Sequence, residues 1–258
     1  MSESTDVLEL VRKIGLRTSR DAFEAWLVHA TKSKASPVQI LEQLCDLERR
    51  EREARNLARR QKMATLGNPK TLERFDWNHP RSIDRELYEQ LHTSLDFVRR
   101  GENILLRGQA GVGKTTLAQN LGLRALERGF TVRFCTLPAA LADLMKQESI
   151  PATERRLRRY TAPDLLVLDE LGYVPCDSRA ADLLFHIISR RHEVRAVVIT
   201  TNLAFKQWGT VFHDASCLGA LVDRFAQHCH VIDIDAESWR NKEATLRRGK
   251  NRKTATET

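Results

Sequence analysis

No stretch of this chain approaches the roughly eighteen consecutive apolar residues of a membrane-spanning helix. The first ten residues, MSESTDVLEL, are acidic and polar where a secretory leader is basic and then apolar. A cytoplasmic protein with no membrane partner is therefore expected. Cysteine is sparse and odd in number: Cys45, Cys135, Cys176, Cys217 and Cys229 are scattered and never fall as Cys-x-x-Cys. That excludes a disulfide framework and a zinc ribbon and suits a reducing compartment. The triplet His228-Cys229-His230 does not make a metal site, because neighbours on a strand point to opposite faces and no second cluster matches it. Aromatic residues are only 6% of the chain against 29% charged and 41% hydrophobic, which indicates a leucine-rich core under an extensive solvated surface.

What the chain does have is positive charge. The formal net charge is +8, and the cations cluster, at Arg155, Arg156, Arg158 and Arg159 and again at Arg247, Arg248, Lys250, Arg252 and Lys253. Clustered cations are the electrostatic footprint of a polyanion partner, with nucleic acid the leading candidate. The bland alternative is solubility alone, and for the second cluster, which ends in the polar run TATET, a disordered solubilising tail. A length of 258 residues accommodates one α/β domain with a smaller appendage, not two full enzymatic domains.

Leucines and alanines recur at helical spacing through residues 6–62, so residues 1–66 read as a small helical domain. Ser36-Pro37 has the form of an N-cap followed by proline at the first helical position. The helix it opens runs into ERREREARNLARRQK, which is either a solvated helix laced with i,i+4 pairs or a basic face for a phosphate backbone. Gly67-Asn68-Pro69 breaks it, and residues 67–101 form a connector and the start of the core, with TLERFDWNHP extended and pinned by two aromatics. From there the pattern alternates: short apolar runs at 103–107, 131–136, 165–169, 196–200 and 231–234 are separated by helical stretches at 114–128, 138–160, 179–192 and 218–228. Apolar strands joined by helices predict an α/β fold, a five-stranded parallel sheet covered on both faces over residues 102–240. Residues 241–258 are a basic, disordered tail on this reading, and too few residues follow the fifth strand for a full C-terminal helical lid.

Between the first strand and the first helix of that core stands GQAGVGKT, residues 108–115, the pattern Gly-x-x-x-x-Gly-Lys-Thr in strand-loop-helix context. Gly108, Gly111 and Gly113 let the backbone curl so that N–H groups of Gln109, Ala110, Val112 and their neighbours through Thr116 face a phosphate chain, aided by the helix N-terminus. Lys114 is placed for the β and γ phosphates of ATP and Thr115 for Mg2+. The run LLVLDE ends a buried strand in two carboxylates: Asp169 suits the magnesium shell and Glu170 suits activation of an attacking water. VITTN ends another strand at Asn202, which either faces the ligand crevice or caps a helix. Arg224, in LVDRF, either pairs with Asp223 or Asp214 or reaches a neighbouring subunit's γ-phosphate.

Together RGENILLRGQAGVGKTTLAQNLG, PDLLVLDELGYVP and ITTNLAFKQWGTVFHDASCLGALVDRFAQHCHVIDIDAESWR resemble the IstB-like transposition helper ATPases, an AAA+ branch near the DnaC-type helicase loaders and DnaA-type initiators. The likeness extends upstream through the helical segment and the KTLERFDWN connector. It implies a bacterial cytoplasmic ATPase encoded with an insertion sequence, which self-associates with ATP on duplex DNA, marks or remodels the target and stimulates a partner transposase. It also implies that Asn202 is a first sensor, that Arg224 is an arginine finger, and that Arg240 falls where a second sensor would lie. Family members often carry a proline in the phosphate loop, which this chain lacks. A helicase loader has the same catalytic residues and a different partner; a small-molecule kinase would need an acceptor pocket; a non-hydrolysing ATP-gated scaffold would not need Glu170.

Overall fold

A computed structural model of the chain describes residues 3–173, 176–213 and 215–239. The chain divides into two compact units, Met1–Lys62 and Met63–Thr258.

In the first unit α1 (Glu3–Lys13), α2 (Arg20–Lys32) and the start of α3 (Pro37–Ala64) bury Leu8, Phe23 and Ala30. Ser36 caps α3 reciprocally: its hydroxyl accepts the Gln39 N–H at 3.3 Å, and the Gln39 side chain accepts the Ser36 N–H at 2.8 Å. The polar centre of this unit is Glu48, 7% exposed, which accepts the Arg17 N–H and the Thr18 hydroxyl, each at 2.8 Å, and pairs with Arg52 and Arg55 at 3.2 Å. Burial raises the Glu48 pKa, but the hydrogen bonds from Thr18, Arg17 and Arg52 and the Arg55 charge outweigh it and hold the carboxyl below its ordinary range. A depressed folded pKa gives stability that is present above the unfolded value and is lost as pH falls through the folded one. Glu48→Gln is expected to lower the stability of the helical unit at pH 7 by about 1.5–3 kcal/mol. It should also flatten the loss of helix on acidification, measured by thermal melts followed by circular dichroism from neutral pH to pH 3.

The second unit carries the sheet. Its elements are β1 (Ser82–Ile83), α4 (Arg85–Ser94), α5 (Asp96–Arg100), β2 (Asn103–Gly108), α6 (Lys114–Glu127), β3 (Val132–Thr136), α7 (Leu137–Met145), α8 (Ile150–Thr161), β4 (Leu165–Leu171), α9 (Ser178–Arg191), β5 (Ala196–Thr201), α10 (Leu218–Ala226) and β6 (Cys229–Asp235). The five strands expected from the sequence all form and run parallel, in the order β6-β2-β5-β4-β3; β1 adds a sixth at the edge, antiparallel to β6. A two-residue strand leaves no period to detect. Ile104, Leu105 and Leu106 of β2 and Leu165 to Leu168 of β4 have no exposed surface, as befits strands covered by helices on both faces. Buried Asn103 stitches the layers, donating to Phe225 O at 2.9 Å and accepting the Val197 N–H at 3.1 Å.

Local signals set the helix starts. Thr136, Ser149 and Asp177 each accept an N–H of the first turn of α7, α8 and α9, and Pro138 and Pro151 occupy first-turn positions where no N–H is needed. The chirality and short connections of the parallel units bring the carboxyl ends of β2, β5 and β4 side by side, with β5 between the other two.

Candidate functional site

The loop from β2 to α6 folds as its glycines require. Gly113, at φ +99, caps α6, and a Cβ there would lie 2.5 Å from a ring carbon of Phe75; Gly111, at φ +82, faces the Ser238 hydroxyl, which a Cβ would meet at 2.3 Å. Both positions combine a left-handed backbone with a close neighbour, so no side chain fits. The loop and the first turn of α6 border a cleft of about 410 Å³, reached by Ala110, Gly111, Val112, Gly113, Lys114, Thr115 and Thr116. Gly108 and Gln109 instead border an adjoining groove, and their carbonyls each accept a hydrogen bond from Lys114 Nζ at 2.7 Å. Lys114 is 6% exposed, so its charge is concentrated over the loop in a partly desolvated place.

Asp169 and Glu170 also border the cleft. Asp169 is 3% exposed, and both its oxygens accept from Thr115 Oγ1, at 3.1 and 3.0 Å. Thr115 lies in the first turn of α6 and Asp169 near the end of β4, so the nucleotide loop and the acidic strand are fastened together. Glu170 lies where the pairing of β4 with β5 shifts register, between Leu168 and Leu171. Its φ is +67 and its side chain is exposed. A left-handed backbone at a residue with a Cβ costs about 1–3 kcal/mol and persists only where surroundings impose it. The bulge turns Glu170 out at the cleft while its neighbours Asp169 and Leu171 stay buried.

Two expected residues lie elsewhere. Asn202 follows the end of β5 and borders the adjoining groove with Arg107, Gln109, Gln207 and Asp233, not the cleft of Lys114 and Asp169. Arg224 packs on α9 of its own chain: its guanidinium sits 4.9 Å over the Phe185 ring and donates to the Ser189 hydroxyl. It does not border the cleft, and no ion pair joins it to Asp223 among the described residues. Asp214 and Arg240 lie outside the described residues, as does the basic cluster from Arg247 to Lys253.

Several cleft residues carry no motif in the sequence. The segment around Phe75 is a wall of the cleft: Phe75 and His79 border it, as do the cations Lys70 and Arg74. Phe75 meets Trp77 edge-on at 4.8 Å, and Trp77 continues to Tyr88 at 5.5 Å, so the two connector aromatics anchor that wall to α4. Trp239, just past β6, borders the cleft as well, donates its backbone N–H to Gly111 O at 3.0 Å and meets His79 edge-on at 4.8 Å. Phe75 and Trp77 mark this segment as anchored in a chain this poor in aromatics, but nothing in the sequence places it beside the phosphate loop.

The cationic helix α8 is only partly free. Arg156 pairs with Asp143 through Nε and Nη2, Arg159 approaches the same carboxylate at 3.9 Å, and Tyr160 donates to it at 2.5 Å. The Arg156 hydrogen bond, opposed by burial and helped by Tyr160, pulls Asp143 down to about 2. Arg155 and Arg158 are exposed and form no ion pair among the described residues. No helix among the described residues is long and apolar enough to cross a membrane.

A family model described as IstB-like ATP binding protein matches residues 9–246. An IS21 insertion-sequence ATP-binding protein of Pseudomonas aeruginosa is 37% identical over 220 residues, covering 85% of this chain and 83% of that one. An IS5376 insertion-sequence ATP-binding protein of Geobacillus stearothermophilus is 31% identical over 244 residues, covering 95% and 97%. Among solved structures, DnaI matches with a TM-score of 0.55 at 18% identity, over 67% of this chain and 93% of that one, a likeness of fold. With a family model spanning nearly its whole length and a phosphate loop and acidic strand set side by side, this chain belongs to the IstB-like ATP-binding family and is an ATPase of AAA+ fold.

Proposed function

We propose that this ATPase is a transposition helper that assembles with ATP on duplex DNA, marks or remodels the target and stimulates a partner transposase. The observation that carries the hydrolytic part is Glu170, turned out at the cleft directly after Asp169. A carboxylate in that place suits polarising a water for attack on the γ-phosphate. Lys114 supplies charge to the β and γ phosphates, and the N–H groups of residues 110–116, which border the cleft, cradle the chain of phosphates. Thr115 and Asp169 would hold Mg2+: a hydroxyl and a carboxylate 3.0 Å apart are the hard oxygen donors that ion takes, and it would screen the phosphate charge. Arg224 is assigned to a neighbouring subunit's nucleotide and Asn202 to sensing it. The insertion-sequence names of the relatives favour transposition over helicase loading, which would use the same catalytic residues.

DNA contact is assigned to α8, and within it chiefly to Arg155 and Arg158, because Arg156 and Arg159 are engaged by Asp143. Phosphate contacts release counterions, so binding should weaken steeply with salt and tolerate any sequence. The variant Arg155→Ala/Arg158→Ala is expected to flatten the log–log salt slope by about 0.9 for each DNA phosphate left without its arginine. Arg156→Ala should change the slope less and the stability more. Fluorescence anisotropy with a labelled duplex, titrated over a salt series, measures this; a slope unchanged in the double variant would remove α8 from the interface.

A further inference from the structure

Two adjacent threonines end β5, where Ala196 to Ile199 are apolar and buried. Thr200 is 1% exposed and borders the cleft; Thr201 has no exposed surface. Neighbours on a strand point to opposite faces, and each of these hydroxyls fastens the β4 bulge from its own side. Thr200 Oγ1 accepts the Glu170 N–H at 3.0 Å and donates its proton to Asp169 Oδ1. Thr201 Oγ1 donates to Leu171 O at 2.8 Å and accepts the Leu203 N–H at 3.0 Å. Valine has the same branched shape and would fill either place, so packing alone does not call for the hydroxyls.

Resting on the ATPase reading above, we propose that Thr200 is a positioning residue for hydrolysis, holding the Asp169 carboxylate and the Glu170 backbone in the working arrangement. A continuous path runs from Thr115 on α6 through Asp169 to Thr200 on β5 and on to the Glu170 N–H. Asp169 is thereby fixed between two hydroxyls, one from the nucleotide helix and one from the strand that lies between β2 and β4. The same Thr200 oxygen gives the N–H of Glu170 its acceptor, at the residue whose left-handed backbone aims the side chain. Without that hydroxyl the Asp169 carboxylate can turn away and the Glu170 N–H loses this partner. Among the described residues the Thr200 hydroxyl bonds to the Glu170 N–H and the Asp169 carboxylate, on the acidic-strand side of the cleft. Its loss should therefore act on turnover and spare nucleotide binding.

The test compares Thr200→Val, Thr200→Ala and Thr200→Ser in the full chain. ATP hydrolysis is measured with and without duplex DNA, binding of a non-hydrolysable ATP analogue by calorimetry, and melting temperature alongside. The valine and alanine variants are expected to lose kcat by about 10- to 100-fold, the scale typical of residues that orient catalytic groups. KM and analogue Kd should stay within about threefold, and serine should restore kcat to within about threefold of wild type. A packing role gives the other order, with valine active and serine and alanine impaired. That order, or a parallel loss of kcat and analogue affinity, overturns the proposal. If valine does not fold, alanine against serine decides on the same criteria. A wild-type chain that binds the analogue yet releases no phosphate would instead overturn the hydrolytic reading itself.

Discussion

Replacing Lys114 by alanine is expected to abolish ATP binding, while replacing Glu170 by glutamine leaves binding intact and lowers turnover by about 100-fold or more. The two residues border one cleft but differ in what they offer a nucleotide. Lys114 is a buried charge fixed over the phosphate loop by Gly108 O and Gln109 O, each at 2.7 Å. Phosphates in that place gain a positive partner in a poorly screened setting, and an alanine leaves them with the loop N–H groups alone. Glu170 is exposed and held off the buried face by its bulge, and among the described residues it makes no hydrogen bond to the loop. Glutamine preserves its shape and removes its basicity, so the ATP state should accumulate. Calorimetric binding of ATP and phosphate release, measured on both variants, separate these effects. Equal loss of affinity in the two would remove the division of labour.

Arg224→Ala should leave a folded chain that binds ATP but fails in ATP-dependent assembly, with DNA-stimulated hydrolysis reduced by about 10³-fold. The reasoning is positional. In its own chain Arg224 is stationed on α9 against Phe185 and Ser189 and is absent from the cleft border. A cation presented on one face of a subunit for the nucleotide of the next makes a head-to-tail interface, which closes into rings or winds into filaments. ATP should then favour assembly, and DNA that aligns subunits should reciprocally tighten ATP binding. Lys70 and Arg74 do border the cleft in cis, so an alternative cation exists, and Arg74→Ala is the necessary control. Mixing Arg224→Ala with Lys114→Ala subunits gives the sharper result. Where a Lys114→Ala subunit lends its arginine to an Arg224→Ala subunit, the site is whole, and random mixing makes roughly a quarter of the head-to-tail interfaces of this kind. Recovered phosphate release in the mixture supports the arrangement; wild-type turnover by Arg224→Ala alone contradicts it.

The phosphate loop and the Asp169-Glu170 pair are legible in the sequence because local rules set them. Glycines at turns, a lysine at a helix start and carboxylates closing an apolar run need only strand-loop-helix context. Strand order is a different matter. That β5 lies between β2 and β4 follows from how helices pack on a finished sheet, and no single segment encodes it. The role of Thr200 depends on that order. Alternation along VITTN puts Thr200 and Asn202 on one face, but β5 stops at Thr201, so the period ends and Asn202 falls beside the adjoining groove. The wall formed by Phe75, His79 and Trp239 was hidden for a related reason. These residues come from a connector and from the turn after the last strand, segments without periodicity, joined through Gly111 O and the His79–Trp239 contact. The bulge at Glu170 has no marker in LLVLDEL, since the left-handed residue is not a glycine.

Phosphate release from ATP by the wild-type chain, with and without duplex DNA and beside Glu170→Gln under identical conditions, tests the central claim most directly. The expected result is turnover that rises with DNA in the wild type and is nearly absent from the variant in both conditions. Equal release by the two proteins, or wild-type turnover indifferent to DNA, would contradict an ATPase that works from this cleft on duplex DNA.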